Sequence, residues 1–99
     1  MTDFYISAIR MDSTGEHIEF VKTHKRTGMG TLDNAGSVNS RKFVGELIST
    51  GKIEFRTIVW NASKGQWDLG AKVEVTSTGY ITTHPNKSAL DNLGELPKF

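Results

Sequence analysis

The chain contains no cysteine, which excludes disulfides, thiolate metal sites and a thiol nucleophile and leaves the redox compartment undecided. No stretch approaches the roughly 18 consecutive apolar residues of a membrane span. Residues 1–4, Met-Thr-Asp-Phe, have neither the basic flank nor the apolar run of an export signal. A cytoplasmic protein with no membrane partner is the expectation. Paired histidines are missing too: His17, His24 and His84 fall on different expected elements, without the spacing of a zinc helix or a catalytic dyad. No serine stands in a nucleophile-elbow pattern, and the carboxylates are spread as on solvated strand faces. These absences argue against an enzyme, a metal and a cofactor.

The 99 residues fit one small domain, 1–99, with room for one core shared by a sheet and one or two helices. An apolar fraction of 36% and a charged fraction of 23% belong to a folded globule with a thin core rather than to a disordered chain. The pattern of residues 67–75 organises the reading. Trp67, Leu69, Ala71, Val73 and Val75 alternate with polar residues or glycine, the period of a strand with one buried face. Residues 4–11, β-branched and aromatic, read as a first strand, and residues 16–23 as its hairpin partner, with Ile18 and Phe20 facing the core. From 24 to 39 the periodicity stops, and a long polar, basic loop is expected.

Ser40 or Asn39 then caps a helix whose Phe43, Val44, Leu47 and Ile48 form one apolar stripe, with Gly51 at its C-terminal turn. Residues 53–60 give a third strand, apolar on both faces and so either a central one or one with a second covering layer. After the turn at 61–65 comes the alternating strand, and residues 80–83 make a fifth. The order ββαβββ predicts an α+β fold: a single antiparallel, twisted sheet or half-barrel with one helix packed on it. In the tail, 85–99, Leu90, Leu93, Leu96 and Phe99 recur every third residue, which suits a short helical turn over 88–92 followed by a clasp over an open sheet edge. The alternative leaves Leu96 and Phe99 exposed to dock on a second copy, as a homodimer.

The net charge of +1 is unevenly spread. Between Lys22 and Lys42 stand five cations and one anion, net +4, leaving −3 for the rest of the chain. Glycines let backbone amides approach an anion while Lys and Arg neutralise it. Lys25-Arg26-Thr27-Gly28-Met29-Gly30 therefore resembles part of a phosphate cradle, although it lacks the closing Gly-Lys-Ser/Thr of a P-loop. Lys22, His24, Lys25, Arg26, Gly28 and Gly30, joined by Arg41 and Lys42 at the helix start, are the candidate ligand-binding residues, provided the loop folds back over that helix end. A solvated loop is the plainer reading of the same residues. Trp60 and Trp67 flank the turn at 61–65, and with Tyr5 and Tyr80 they belong either to the core or to a surface on which bases stack.

The run Thr83-His84-Pro85-Asn86, the segment Asp91-Asn92-Leu93-Gly94-Glu95-Leu96-Pro97 and the opening Tyr5-Ile6-Ser7-Ala8-Ile9-Arg10 with Gly15-Glu16-His17-Ile18 resemble a family of short bacterial and phage proteins catalogued as a domain of unknown function. The resemblance implies a free-standing small domain and supplies no catalytic residues. The function expected is a non-enzymatic binding module of bacterial or phage origin, of the anti-defence kind. Its basic loop would capture a phosphate-bearing ligand, either a nucleotide or a nucleic acid. The alternative is a protein interaction or inhibitor domain acting on a host protein partner.

Overall fold

The computed structural model describes residues 2–15, 17–29, 31–76, 79–83 and 96–99. The strand at the centre is β1, Phe4–Met11, not the alternating stretch at 67–75. It pairs antiparallel with β2, Ile18–Gly28, from Phe4 opposite Lys25 to Met11 opposite Ile18, with irregularities at Ser7 and between Arg10 and Met11. On its other side it pairs in parallel with β5, Phe55–Asn61, over Phe4 to Ile6 only. β5 carries β6, Gln66–Lys72, as its antiparallel hairpin partner. Beyond β2 lie β3, Thr31–Leu32, and β4, Ser37–Ser40, both antiparallel to it. A separate hairpin joins β7, Glu74–Val75, to β8, Ile81–Thr82. The architecture is α+β: one helix with a mixed, mostly antiparallel six-stranded sheet and a small hairpin.

The helix α1, Arg41–Ser49, starts where its cap predicts. Ser40 Oγ accepts from the Phe43 amide at 3.1 Å, satisfying one of the first-turn donors. Val44 is buried, and Leu47 and Ile48 pack against the core formed by Ile6, Ile9, Ile18, Val21, Phe55, Val73 and Ile81. Phe43, expected in that stripe, is 51% exposed.

Three expectations need correction. The loop expected at 24–39 is largely strand: β2 runs on to Gly28, and β3 and β4 return along it. Polar residues hid this, because Thr23 and His24 are themselves buried. The alternation at 67–75 does not bury one face. A bulge at Gly70 and Ala71, opposite Thr57, breaks the strand, so that Val73 is fully buried while Leu69 is 64% exposed. The sheet, expected to be antiparallel, contains the parallel β1–β5 pair.

In the tail, Leu96 is buried in the core. Residues 97–99 lie along the part of β1 that β5 leaves open: the Ile9 amide donates to the Pro97 carbonyl at 2.9 Å and the Phe99 amide to the Ile9 carbonyl at 3.0 Å. Of the clasp expected over 85–99, these residues are the part that the structure describes. Leu90, Leu93 and the turn expected at 88–92 lie outside the described residues.

The sheet is curled. In strand order β1 and β5 stand between β2 and β6, a separation of roughly 14 Å in a flat sheet. Yet the rings of His24 on β2 and Trp67 on β6 have centroids 5.5 Å apart. The helix covers the convex side, and the concave side holds Tyr5, His24, Ile58 and Trp67.

Candidate functional site

The concave side opens as a groove of about 490 Å³. One wall is Thr31, Leu32 and Asn34, the other Trp60, Gln66, Trp67 and Leu69, with Tyr5 and Ile58 between them. Each wall has a local cause. The β2–β3 turn brings Thr31 back beside Gly28 and Leu32 beside Arg26. The hairpin turn at 62–65 places Trp60 directly opposite Trp67, a cross-strand aromatic pair with rings 5.2 Å apart and edge-to-face. Trp67 Nε1 donates to Asn34 Oδ1 at 3.1 Å, so the two walls are tied across the groove. Trp60 is 52% exposed and Leu69 more so, an apolar surface that a folded chain leaves to water only where it need not bury it.

Beneath the groove lies a buried polar pair. His24 Nδ1 lies 2.7 Å from the Asp33 carbonyl, which can only accept, so Nδ1 carries the proton. In the neutral ring Nε2 then accepts from the Ser7 hydroxyl, also at 2.7 Å. The spacing is that of a nucleophile and its base. Both residues, however, are closed in: His24 is 1% exposed, Trp67 tilts over its ring, and residues 33–36 cross it. Gly36 is what permits that crossing. Its φ is +70°, and a Cβ there would come within 2.9 Å of both His24 Cε1 and the Thr23 carbonyl. The pair satisfies buried polar groups and pins residues 33–36 over the sheet.

The expected site residues separate into two groups. Lys25, Arg26 and Gly28 are at the far end of β2, where Arg26 Nε donates to the Thr2 carbonyl at 2.8 Å and Nη1 to the Gly28 carbonyl at 3.2 Å. Lys25 is exposed opposite Phe4 on the helix side of the sheet, and Lys22 is half-buried between Ala8 and Val38. Arg41 and Lys42 are at the other end: Ser40 pairs with Phe20, six residues before Arg26, or roughly 20 Å along an extended strand. Arg41 donates to the carbonyls of Ile18 and Gly79, and its guanidinium covers the Tyr80 ring at 4.8 Å. Lys42 is exposed on α1. The fold therefore does not close the basic stretch over the helix start. Gly30 lies outside the described residues.

Sequence reading named the tryptophans as one of two alternatives but missed Asn34, Gln66 and Leu69. Only the pairing of β5 with β6 and the curl of the sheet bring those three beside Trp60, and neither is written in a local pattern. Among the described residues no group of His, Asp and Glu is arranged to hold a metal ion, and no helix is long and apolar enough to cross a membrane.

Residues 5–97 match the model of the family described as Protein of unknown function (DUF3892). The chain belongs to that family. No curated protein and no solved structure matches it. For this DUF3892 chain the groove is the candidate site: concave, lined by aromatic and apolar side chains, edged by amides, and bordered by the hairpin that carries Arg26.

Proposed function

We propose that this DUF3892 chain is a non-enzymatic, cytoplasmic binding module for a phosphate-bearing ligand, a nucleotide or a nucleic acid. The observation that carries the reading is the juxtaposition of an exposed aromatic groove with a cationic strand end. Arg26 pairs with Leu32, which lines the groove, and Lys64 stands in the turn between Trp60 and Gln66. Aromatic faces beside cations suit bases and phosphates together. The reading keeps the ligand class expected from the basic stretch and moves its centre from the glycines to the open side of the sheet.

Salt dependence tests it. With three or four phosphates neutralised on a single strand, log K should fall against log salt with a slope of about −2 to −3. Arg26→Gln combined with Lys64→Ala should weaken binding and flatten that slope. Binding that ignores salt, or no binding to any nucleotide or oligonucleotide, would sink the reading.

A second reading, a protein-interaction module, rests on β6, which among the described residues ends the sheet without an outer partner, beside exposed Val59, Trp60 and Leu69. It predicts self-association or capture of a protein with nucleic acid absent. A strict monomer, checked by light scattering, would leave only a foreign protein as that edge's partner.

A further inference from the structure

Resting on the phosphate-ligand reading above, we infer that the groove between Asn34 and Trp60 receives an unpaired base of single-stranded nucleic acid. Three observations point there. First, the aromatic platform is preorganised. Trp67 is held by its hydrogen bond to Asn34 and by edge-to-face packing on Trp60, so little side-chain freedom is left to lose when a base stacks on the exposed Trp60.

Second, the polar groups that edge the groove are of the kind that meet a base edge. The indole of Trp67 can only donate, so Asn34 turns its Oδ1 toward Trp67, and its Nδ2 hydrogens remain for another acceptor. Every base carries a ring-nitrogen or carbonyl acceptor. Gln66, on the opposite wall, supplies a second amide with both a donor and an acceptor.

Third, among the described residues no Lys, Arg, Asp or Glu lines the groove. The cations are outside it, Arg26 on one flank and Lys64 on the other. A free nucleotide would need its phosphates neutralised next to its base, and the groove offers nothing charged for that. A strand whose backbone runs over the rims, with one base turned inward, fits this charge placement.

The test is fluorescence anisotropy with labelled single-stranded oligonucleotides of about ten residues, within the usual site size for such surfaces. Wild-type protein should bind them, and a duplex of the same length should compete poorly. Trp60→Ala should weaken binding by about 5- to 150-fold, the range of one lost stacking contact, without changing the salt slope. Trp60→Phe keeps a ring and should recover most of the affinity, which separates stacking from a folding defect, and circular dichroism checks the fold of both. Asn34→Asp removes the donor and adds an anion, and should weaken binding as well.

If Trp60→Ala binds as wild type while the salt slope is retained, the groove is overturned and the phosphate reading stands. If uridine monophosphate competes as well as the oligonucleotide at equal concentration, the single strand is overturned in favour of a free nucleotide. If no oligonucleotide or nucleotide binds at all, both readings fall together.

Discussion

Glu54 shows how one side chain registers the central pairing of the fold. Its Oε2 accepts from the Thr2 hydroxyl at 2.7 Å, its carbonyl accepts from the Asp3 amide, and its own amide donates to Asp3 Oδ2. These bonds tie the entrance of β1 to the entrance of β5, where the parallel register is set. The Thr2 hydrogen bond is the main reason that the Glu54 carboxyl is held below the usual glutamate value. Partial burial opposes the shift, and the positive charges of Arg56 and Lys72 assist it. A carboxyl depressed in the folded state stabilises the protein fully above its unfolded value, and that contribution is lost as pH falls through the folded one. Stability should therefore decline on acidification below about pH 4, the ordinary glutamate range. Thr2→Ala should soften that decline. Urea midpoints measured along the acid limb check it, and parallel curves for the two proteins would show that the Thr2 bond carries none of the effect.

At the scale of the element, β6 is the instructive case. Its bulge brings Gly70 so close to Thr57 that only glycine fits: a Cβ there would fall on Thr57 Oγ1 and come within 2.9 Å of the Thr57 carbonyl oxygen. The same hydroxyl accepts from the Ala71 amide at 3.1 Å, so the extra residue of the bulge has its donor satisfied. Gly70→Ala should force the two strands apart and destabilise by about 1–3 kcal/mol, the usual range for overpacking. Chemical denaturation reads the loss, and an unchanged midpoint would mean that β6 shifts freely away from β5. This bulge also explains why residues 67–75 mislead. Period-two alternation assumes an unbroken pleat, and one extra residue sends Leu69 to the open side while Val73 stays in the core. Elements whose causes are local were legible: β1 through its β-branched and aromatic run, α1 through Ser40 and the Val44, Leu47, Ile48 stripe. The far half of β2 was not, because Thr23 and His24 are polar by composition and buried by virtue of partners brought in by distant residues. The same limit applies to the candidate site. Trp60 and Trp67 could be noticed from their positions around a turn, whereas Asn34 joins them only through the curl of the sheet.

For the whole molecule, one curled sheet does two jobs with its two sides. The convex side buries Ile6, Val21 and Phe55 under α1, and the concave side keeps its groove open because Trp67, His24 and residues 33–36 brace it without filling it. Opening a sheet in this way leaves β1 short of a partner beyond Ile6, and residues 96–99 supply one. Their last two side-chain anchors are unequal. Leu96 is 6% exposed within the core, whereas Phe99 is 39% exposed, with the Arg10 guanidinium 5.5 Å from its ring. Of the two, Leu96 is the anchor that the core holds. Leu96→Ala should then cost about 2–5 kcal/mol, as for other buried leucines, while Phe99→Ala should cost about 1 kcal/mol or less. Thermal unfolding separates them, since each kcal/mol moves the midpoint of a domain of this size by about 4–8 °C. Equal, small shifts would mean that 96–99 merely lies against β1, and the stability of the open sheet would then have to come from the helix side alone.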